Sequence, residues 1–275
     1  MRTSLLFSRP ACGARLSKCV RPTLLGAGFL IAWAMAGGCG SPAGTIFEPP
    51  FPPKVWPDSA TEPARVRYVG QLANEADLKP AIPFGQGLGE SLFGKPPIRA
   101  MITPFALCTD GGDRLFVADT SAKVVQVFDL NSRKFAQWGP APGKKFSWPV
   151  GVAYNPAGRL YVSDSLNFRV QQFSPDLQPL RAIGSKGDMP GFFSQPKGVG
   201  VDSQDHLYVM DSQFEVAQVF DDQGVLLMDF GQEGDGAGEF WLPAGIFIDA
   251  HNRIWVADSY NHRVQVFDYL PEQRP

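Results

Sequence analysis

Four segments of this 275-residue chain align with one another without gaps: PFALCTDGGDRLFVADTSAKVVQVF (104–128), PVGVAYNPAGRLYVSDSLNFRVQQF (149–173), PKGVGVDSQDHLYVMDSQFEVAQVF (196–220) and PAGIFIDAHNRIWVADSYNHRVQVF (243–267). The leading prolines are 45, 47 and 47 residues apart, and Asp119, Asp164, Asp211 and Asp258 keep that spacing, as do Phe128, Phe173, Phe220 and Phe267. Gly139, Gly184 and Gly231 follow the first three of these phenylalanines by 11 residues. Such a period holds one supersecondary unit, and each unit can bury its apolar surface only against its neighbours.

Each unit reads as four short strands. The first follows the proline, a polar turn such as Asn155–Gly158 or Asp202–Asp205 comes next, and LFVAD, LYVSD, LYVMD or IWVAD forms the second strand. The third is VVQVF or RVQQF, and the fourth ends in QWG, AIG or DFG. β-Branched and aromatic residues between turn signals, without helical period, specify an antiparallel meander. A four-stranded meander every 40–50 residues is the signature of a β-propeller blade. The expected fold is therefore all-β, with repeats near 104–139, 149–184, 196–231 and 243–267. Composition agrees. An apolar content of 44% excludes disorder, 29 Gly and 25 Pro exclude long helices, and 21 Phe favour packed β-structure.

The pattern P-x-G-V/I-x-x-D/N followed by LYV-x-DS-x-N-x-RVQVF resembles the NHL repeat over 104–267 and, more loosely, over 66–70. That resemblance implies a propeller and leaves function open, because the family includes ligand-binding, scaffolding and enzymatic members. A fourth strand after Phe267 would end near position 278, whereas Arg67-Tyr68-Val69-Gly70 matches the fourth-strand endings RAIG and MDFG. The expectation is that the N-terminal strand (65–72) completes the last blade and seals the ring, removing open edges. A degenerate blade within 71–103, or sequence continuing beyond 275, stand as alternatives. The 34 residues from Gly70 to Pro104, against 10 or 12 in the later loops, mark an insertion, with FGQGLGESLFG (84–94) read as a short helix or flap.

The N-terminal 39 residues read as an address. Arg2, Arg9, Arg15, Lys18 and Arg21 precede the apolar run Thr23–Ala36, which is too short to span a membrane comfortably and suits a secretory signal. Ala36-Gly37-Gly38-Cys39 resembles a bacterial lipobox, which implies cleavage before Cys39 and diacylation of its sulfur; Gly40 then favours the outer membrane, facing the periplasm. Pro42, Pro49, Pro50, Pro52, Pro53, Pro57 and Pro63 make 40–64 an extended tether to a domain at 65–275. Cys12 and Cys19 lie in the leader, so Cys108 alone remains in the domain and no internal disulfide is expected. Beyond residue 39 the chain holds 20 basic and 27 acidic residues with no extended basic cluster, which argues against nucleic acid.

Meander connectivity puts the loops between second and third strands on the same side as the inter-blade loops 139–149, 184–196 and 231–243. Phe146, Phe193 and Phe240 recur three residues before the blade prolines and read as packing residues. Trp148, Trp241 and Phe192 break the repeat and are the aromatic candidates for ligand contact. Asn167, Arg169, Asn261 and Arg263 occupy matching positions in the second and fourth units; the arginines either hold an anionic partner or pair with the blade aspartates. Those aspartates read as turn caps. The glycines of 231–238 precede a strand rather than a helix and so serve turns. No acidic triplet has calcium-ligand spacing, and neither a metal nor another cofactor is expected. A lyase similar to peptidylglycine α-amidating lyase requires a zinc-binding histidine after a blade proline, and Phe105, Val150, Lys197 and Ala244 stand there. The favoured reading is a membrane-anchored binding or scaffolding module for a protein, peptide or glycan. A propeller enzyme of lyase or hydrolase type, working at the central channel, is the alternative.

Overall fold

The computed structural model describes residues 44–56, 63–81 and 97–270. The leader, Cys39 and the 84–94 stretch lie outside the described residues. At the N-terminal end β1 (Val55–Trp56) and β2 (Val66–Arg67) pair with each other, antiparallel. This overturns the expected closure, since the strand drawn from residues 65–72 does not join the last blade. The physical reason is proximity. β1 offers β2 a partner across a short loop, and closing a short loop loses less entropy than meeting a strand at the far end of the chain.

Four antiparallel sheets follow, one per repeat. Blade 1 holds β3 (Pro104–Thr109), β4 (Arg114–Asp119), β5 (Val124–Asp129) and β6 (Lys134–Trp138). Blade 2 holds β7 (Pro149–Tyr154), β8 (Leu160–Asp164), β9 (Arg169–Phe173) and β10 (Pro179–Ile183). Blade 3 holds β11 (Pro196–Val201), β12 (Leu207–Asp211), β13 (Val216–Phe220) and β14 (Leu226–Phe230). Blade 4 has β15 (Gly245–Ile248), β16 (Arg253–Asp258) and β17 (Arg263–Asp268), and no fourth strand among the described residues. The inner strands pack in sequence, β3 on β7, β7 on β11 and β11 on β15, in the propeller arrangement.

The LYV motif explains why the blades stack. Successive strand side chains point to opposite faces, and a blade is covered on both. Leu160 and Val162 pack with Phe116, Val125 and Val127 of blade 1, whereas Tyr161 between them packs with Leu207 and Val209 of blade 3. Blade 3 repeats the division: Leu207 and Val209 face blade 2, while Tyr208 and Met210 face Ile246, Ile254 and Val256 of blade 4. Burying each such side chain contributes about 1.5–3 kcal/mol. The Tyr208 hydroxyl donates to Asp202 (3.1 Å) and that of Tyr161 accepts from Gln172 (3.0 Å), so the aromatic bodies are buried without orphaned oxygens.

The described residues of the insertion before blade 1 form a cap, with no fifth blade among them. A 3-10 helix, Glu75–Leu78, starts at Asn74, whose side chain accepts the Ala76 N–H while Asp77 accepts the Asn74 N–H. It drives Leu78 onto Val117 and Phe128 of blade 1, with Leu72, Met101 and Ile46 alongside. Blade 4 has no such cover among the described residues. Phe247, Val264 and Val266 on its outer face are exposed.

Candidate functional site

The end of the molecule carrying the inter-blade loops is organised by the four repeated aspartates, all fully buried. Asp119 accepts the Ile102, Thr103 and Ala122 N–H groups and the Gln126 side chain. Asp164 accepts the N–H groups of Ser147 (2.9 Å) and Trp148 (2.8 Å) and the amide of Asn167 (2.7 Å). Asp211 serves Ser194 and Gln195 in the same way, and Asp258 serves Trp241. Each carboxylate thus ties the loop entering its blade to the turn leaving the second strand. Burial raises the pKa of Asp119 and of Asp258, but the donated N–H and side-chain hydrogen bonds outweigh it and hold both below the ordinary aspartate value.

The same geometry accounts for the polar candidates. Asn167 and Asn261 donate to Asp164 and Asp258. Arg263 donates Nε–H to Asp258 (2.8 Å) and its other N–H groups to the carbonyls of Asp235, Gly236 and Glu239. Arg169 stands 4.0 Å from Asp164. Asn167, Asn261 and Arg263 thus brace turns, whereas the buried Nε of Arg169 has no hydrogen-bond partner; of the two roles open to the arginines Arg263 takes the pairing with aspartate. Phe146, Phe193 and Phe240 are buried between blades, as packing residues should be.

The aromatic candidates are on the surface. Trp148 is 43% exposed, Trp241 49% and Phe192 40%. Trp241 packs against Tyr260, ring centroids 5.9 Å apart. Phe192 lies over Gly187, leaving no room there for a Cβ, and its carbonyl accepts the Gln218 side chain (2.7 Å).

Two cavities share the axis. The inner strands of all four blades line a channel of about 550 Å³, walled by Phe105, Leu107, Val152, Val199 and Ile246 together with Gly151, Gly198 and Gly245. At the loop end a mouth of about 400 Å³ opens among Phe105, Trp148, Val150, Ser165, Leu166, Gln195, Lys197 and Ala244. Phe105, Val150 and Ala244 line both. Of the sequence candidates only Trp148 reaches the mouth. Phe105, Val150, Lys197 and Ala244 are the residues directly after the four blade prolines, so the signal for them was present in the repeat. Leu166 had none beyond its place in the turn after Asp164.

At this mouth Lys197 is the one charged side chain among apolar and neutral polar ones. The lining holds no histidine or carboxylate, and no cluster of three or more metal-ligating side chains occurs among the described residues. Cys108, in the channel wall, is pushed up to about 12 by burial and then by the Asp110 charge, so the thiol stays protonated. His206 is at the opposite end of blade 3, hydrogen-bonded through Nδ1 to Asp202 at 2.9 Å. No helix among the described residues is long and apolar enough to cross a membrane.

The NHL repeat model matches residues 146–173 and 240–267, the second and fourth repeats from the buried loop phenylalanine to the end of the third strand. No curated protein matches the chain. Among solved structures it is similar to a streptogramin B lyase, with 12% identity, a TM-score of 0.46, and 60% of this chain and 54% of that one covered. It is also similar to a catalytically inactive virginiamycin B lyase from Staphylococcus aureus with quinupristin (13% identity, TM-score 0.47, 66% and 62% covered). Kuenenia stuttgartiensis hydrazine synthase is matched at 18% identity and a TM-score of 0.46, over 61% of this chain and 46% of that one. The chain spans roughly half to three-fifths of the length of these structures.

Proposed function

We propose that this NHL-type propeller is a binding module that takes its partner, a protein, peptide or glycan, at the axial mouth on the inter-blade loop end. The observation that carries the reading is the mouth itself. It is a concave site with the exposed apolar side chains of Trp148, Leu166 and Phe105 on its rim, one of them anchored through its backbone to a buried carboxylate. Exposed rings on a rigid support give contact area at low entropic loss, the composition expected of a binding hot spot. Trp241 with Tyr260, and Phe192, are exposed at the same end of the molecule. On this reading Cys39 carries the lipid that holds the module at the extracytoplasmic face of a membrane, with 40–64 as spacer, so that the mouth reaches partners beyond the bilayer surface. One acyl chain gives only marginal retention, and the diacyl group implied by the lipobox resemblance supplies the second.

The test is a binding screen with the full chain in mild detergent against arrayed peptides and glycans. Ligands found with the wild type should be lost with Trp148→Ala combined with Leu166→Ala, and kept with His206→Ala combined with His251→Ala. The reverse pattern places the working surface at the opposite end. Cys39→Ser should abolish membrane fractionation; a variant still retained in the membrane would remove the anchor.

A further inference from the structure

Lys197 is the one charged residue in the lining of the mouth. It is half-buried at the start of β11, with Trp148, Leu166 and Gln195 as fellow lining residues. Its ammonium enters no ion pair and no hydrogen bond among the described residues, although Asp110, Asp164, Asp222 and Asp258 all take up nearby cations. The backbone of Lys197 is otherwise engaged, its carbonyl accepting the Ser163 hydroxyl at 2.5 Å. The residue is thus held in place by its main chain while its charge has no internal partner. A cation beside tryptophan, leucine and phenylalanine, in a cavity of about 400 Å³, is a complement to a ligand of the opposite kind: one apolar side chain carrying one anionic group.

Resting on the binding-module reading, we propose that the mouth captures the C-terminal end of a peptide whose last residue is apolar or aromatic. The free carboxylate pairs with Lys197, and the last side chain lies among Trp148, Leu166 and Phe105. A peptide is favoured over a small free acid because further exposed aromatic rings stand on the inter-blade loops of the same end. These are Trp241, packed on Tyr260, and Phe192, which offer contact to residues preceding the terminus. Lysine meets the carboxylate as a point charge, so the pairing selects charge and position rather than a two-pronged geometry. Nearby Ser165 and Gln195 supply polar atoms for the second carboxylate oxygen.

The probes are the tetrapeptide Ala-Ala-Ala-Phe, its C-terminal amide and N-acetylphenylalanine, titrated into the full chain in mild detergent by calorimetry. The free-acid peptide should bind about tenfold more tightly than the amide, the range of a charge-assisted contact. Lys197→Gln should bring the acid down to the level of the amide and leave the amide unchanged. N-acetylphenylalanine should bind more weakly than the tetrapeptide; equal affinity would make the ligand a small acid and overturn the peptide assignment. Acid and amide of equal affinity, a preference that survives Lys197→Gln, or no binding by either peptide would overturn the role of Lys197. If acid and amide bind equally and Trp148→Ala removes both, the mouth stands while the carboxylate assignment falls. If binding persists in Trp148→Ala with Leu166→Ala, the mouth itself is wrong.

Discussion

Asp164 and Trp148 are joined at 2.8 Å: the carboxylate, fully buried under the loop rim, accepts the backbone N–H of a residue whose ring faces solvent. Trp148 returns the contact by accepting the Ser165 N–H with its carbonyl (3.0 Å). An exposed ring of the mouth is therefore supported by an inaccessible charge. Asp164→Ala would leave the N–H groups of Ser147 and Trp148 without an acceptor. It should destabilise the fold by on the order of 2–5 kcal/mol, the combined loss of two buried donors' partner. Urea unfolding would measure it, and a loss below 1 kcal/mol would show that water replaces the carboxylate.

Asp119 and Asp258 predict the acid limb of stability. Their folded pKa values lie below the ordinary aspartate value, because donated hydrogen bonds outweigh burial. A depressed folded value means that the unfolded chain binds protons first, so the stabilisation is complete above the unfolded value of about 4 and is lost as pH falls through the folded one. Melting temperature should accordingly be flat from neutral pH to about 5 and then fall. Asp119→Asn and Asp258→Asn should lower the plateau and shallow the acid slope. An acid slope unchanged in both variants would contradict this assignment.

Gly231 has φ of +94°, and a Cβ placed there would lie 2.3 Å from the Phe240 ring. Gly184 stands in the same relation to Phe193, with φ of +77° and the same 2.3 Å approach. Gly231→Ala should therefore combine left-handed strain with overpacking, for a loss of roughly 2–4 kcal/mol. Phe240→Ala should cost about 3–5 kcal/mol by opening a cavity between blades 3 and 4. Thermal or urea melts would decide both, and a neutral Gly231→Ala would mean that the loop moves aside freely.

Cys108 should be inert in the folded protein. With its thiol pushed up to about 12 by burial and the Asp110 charge, almost none is thiolate at neutral pH. Alkylation by iodoacetamide at pH 7.5, followed by peptide mapping, should label Cys108 only after urea unfolding. Rapid labelling of the native chain would show the channel wall to be open to reagents and the thiol ionised.

The repeat made the blades legible because a propeller imposes the same demand four times. LYV must place leucine and valine on one neighbour and tyrosine on the other, and only a strict period of two in each copy does so. The buried phenylalanines 146, 193 and 240, and the capping role of the aspartates, were readable for the same reason. Arg263 was ambiguous in the sequence, since an arginine beside a turn can serve a ligand or a carboxylate; only the carbonyls of Asp235, Gly236 and Glu239 around it show that its donors are occupied. Closure failed as an expectation because the likeness of Arg67–Gly70 to a fourth strand is local, whereas strand pairing depends on which edge is within reach.

The linear order of residues determined that this chain is all-β, that its unit is a four-stranded meander, and that Asp119, Asp164, Asp211 and Asp258 hold turns. These follow from alternation and spacing, which act within one repeat. What the tertiary structure alone decided is the site. Phe105 and Lys197 hold matching places after blade prolines, but nothing in the chain order says that Trp148 and Leu166 share a cavity with them. Their meeting is set by the inner strands packing around a common axis, a long-range geometry to which each repeat contributes only one wall.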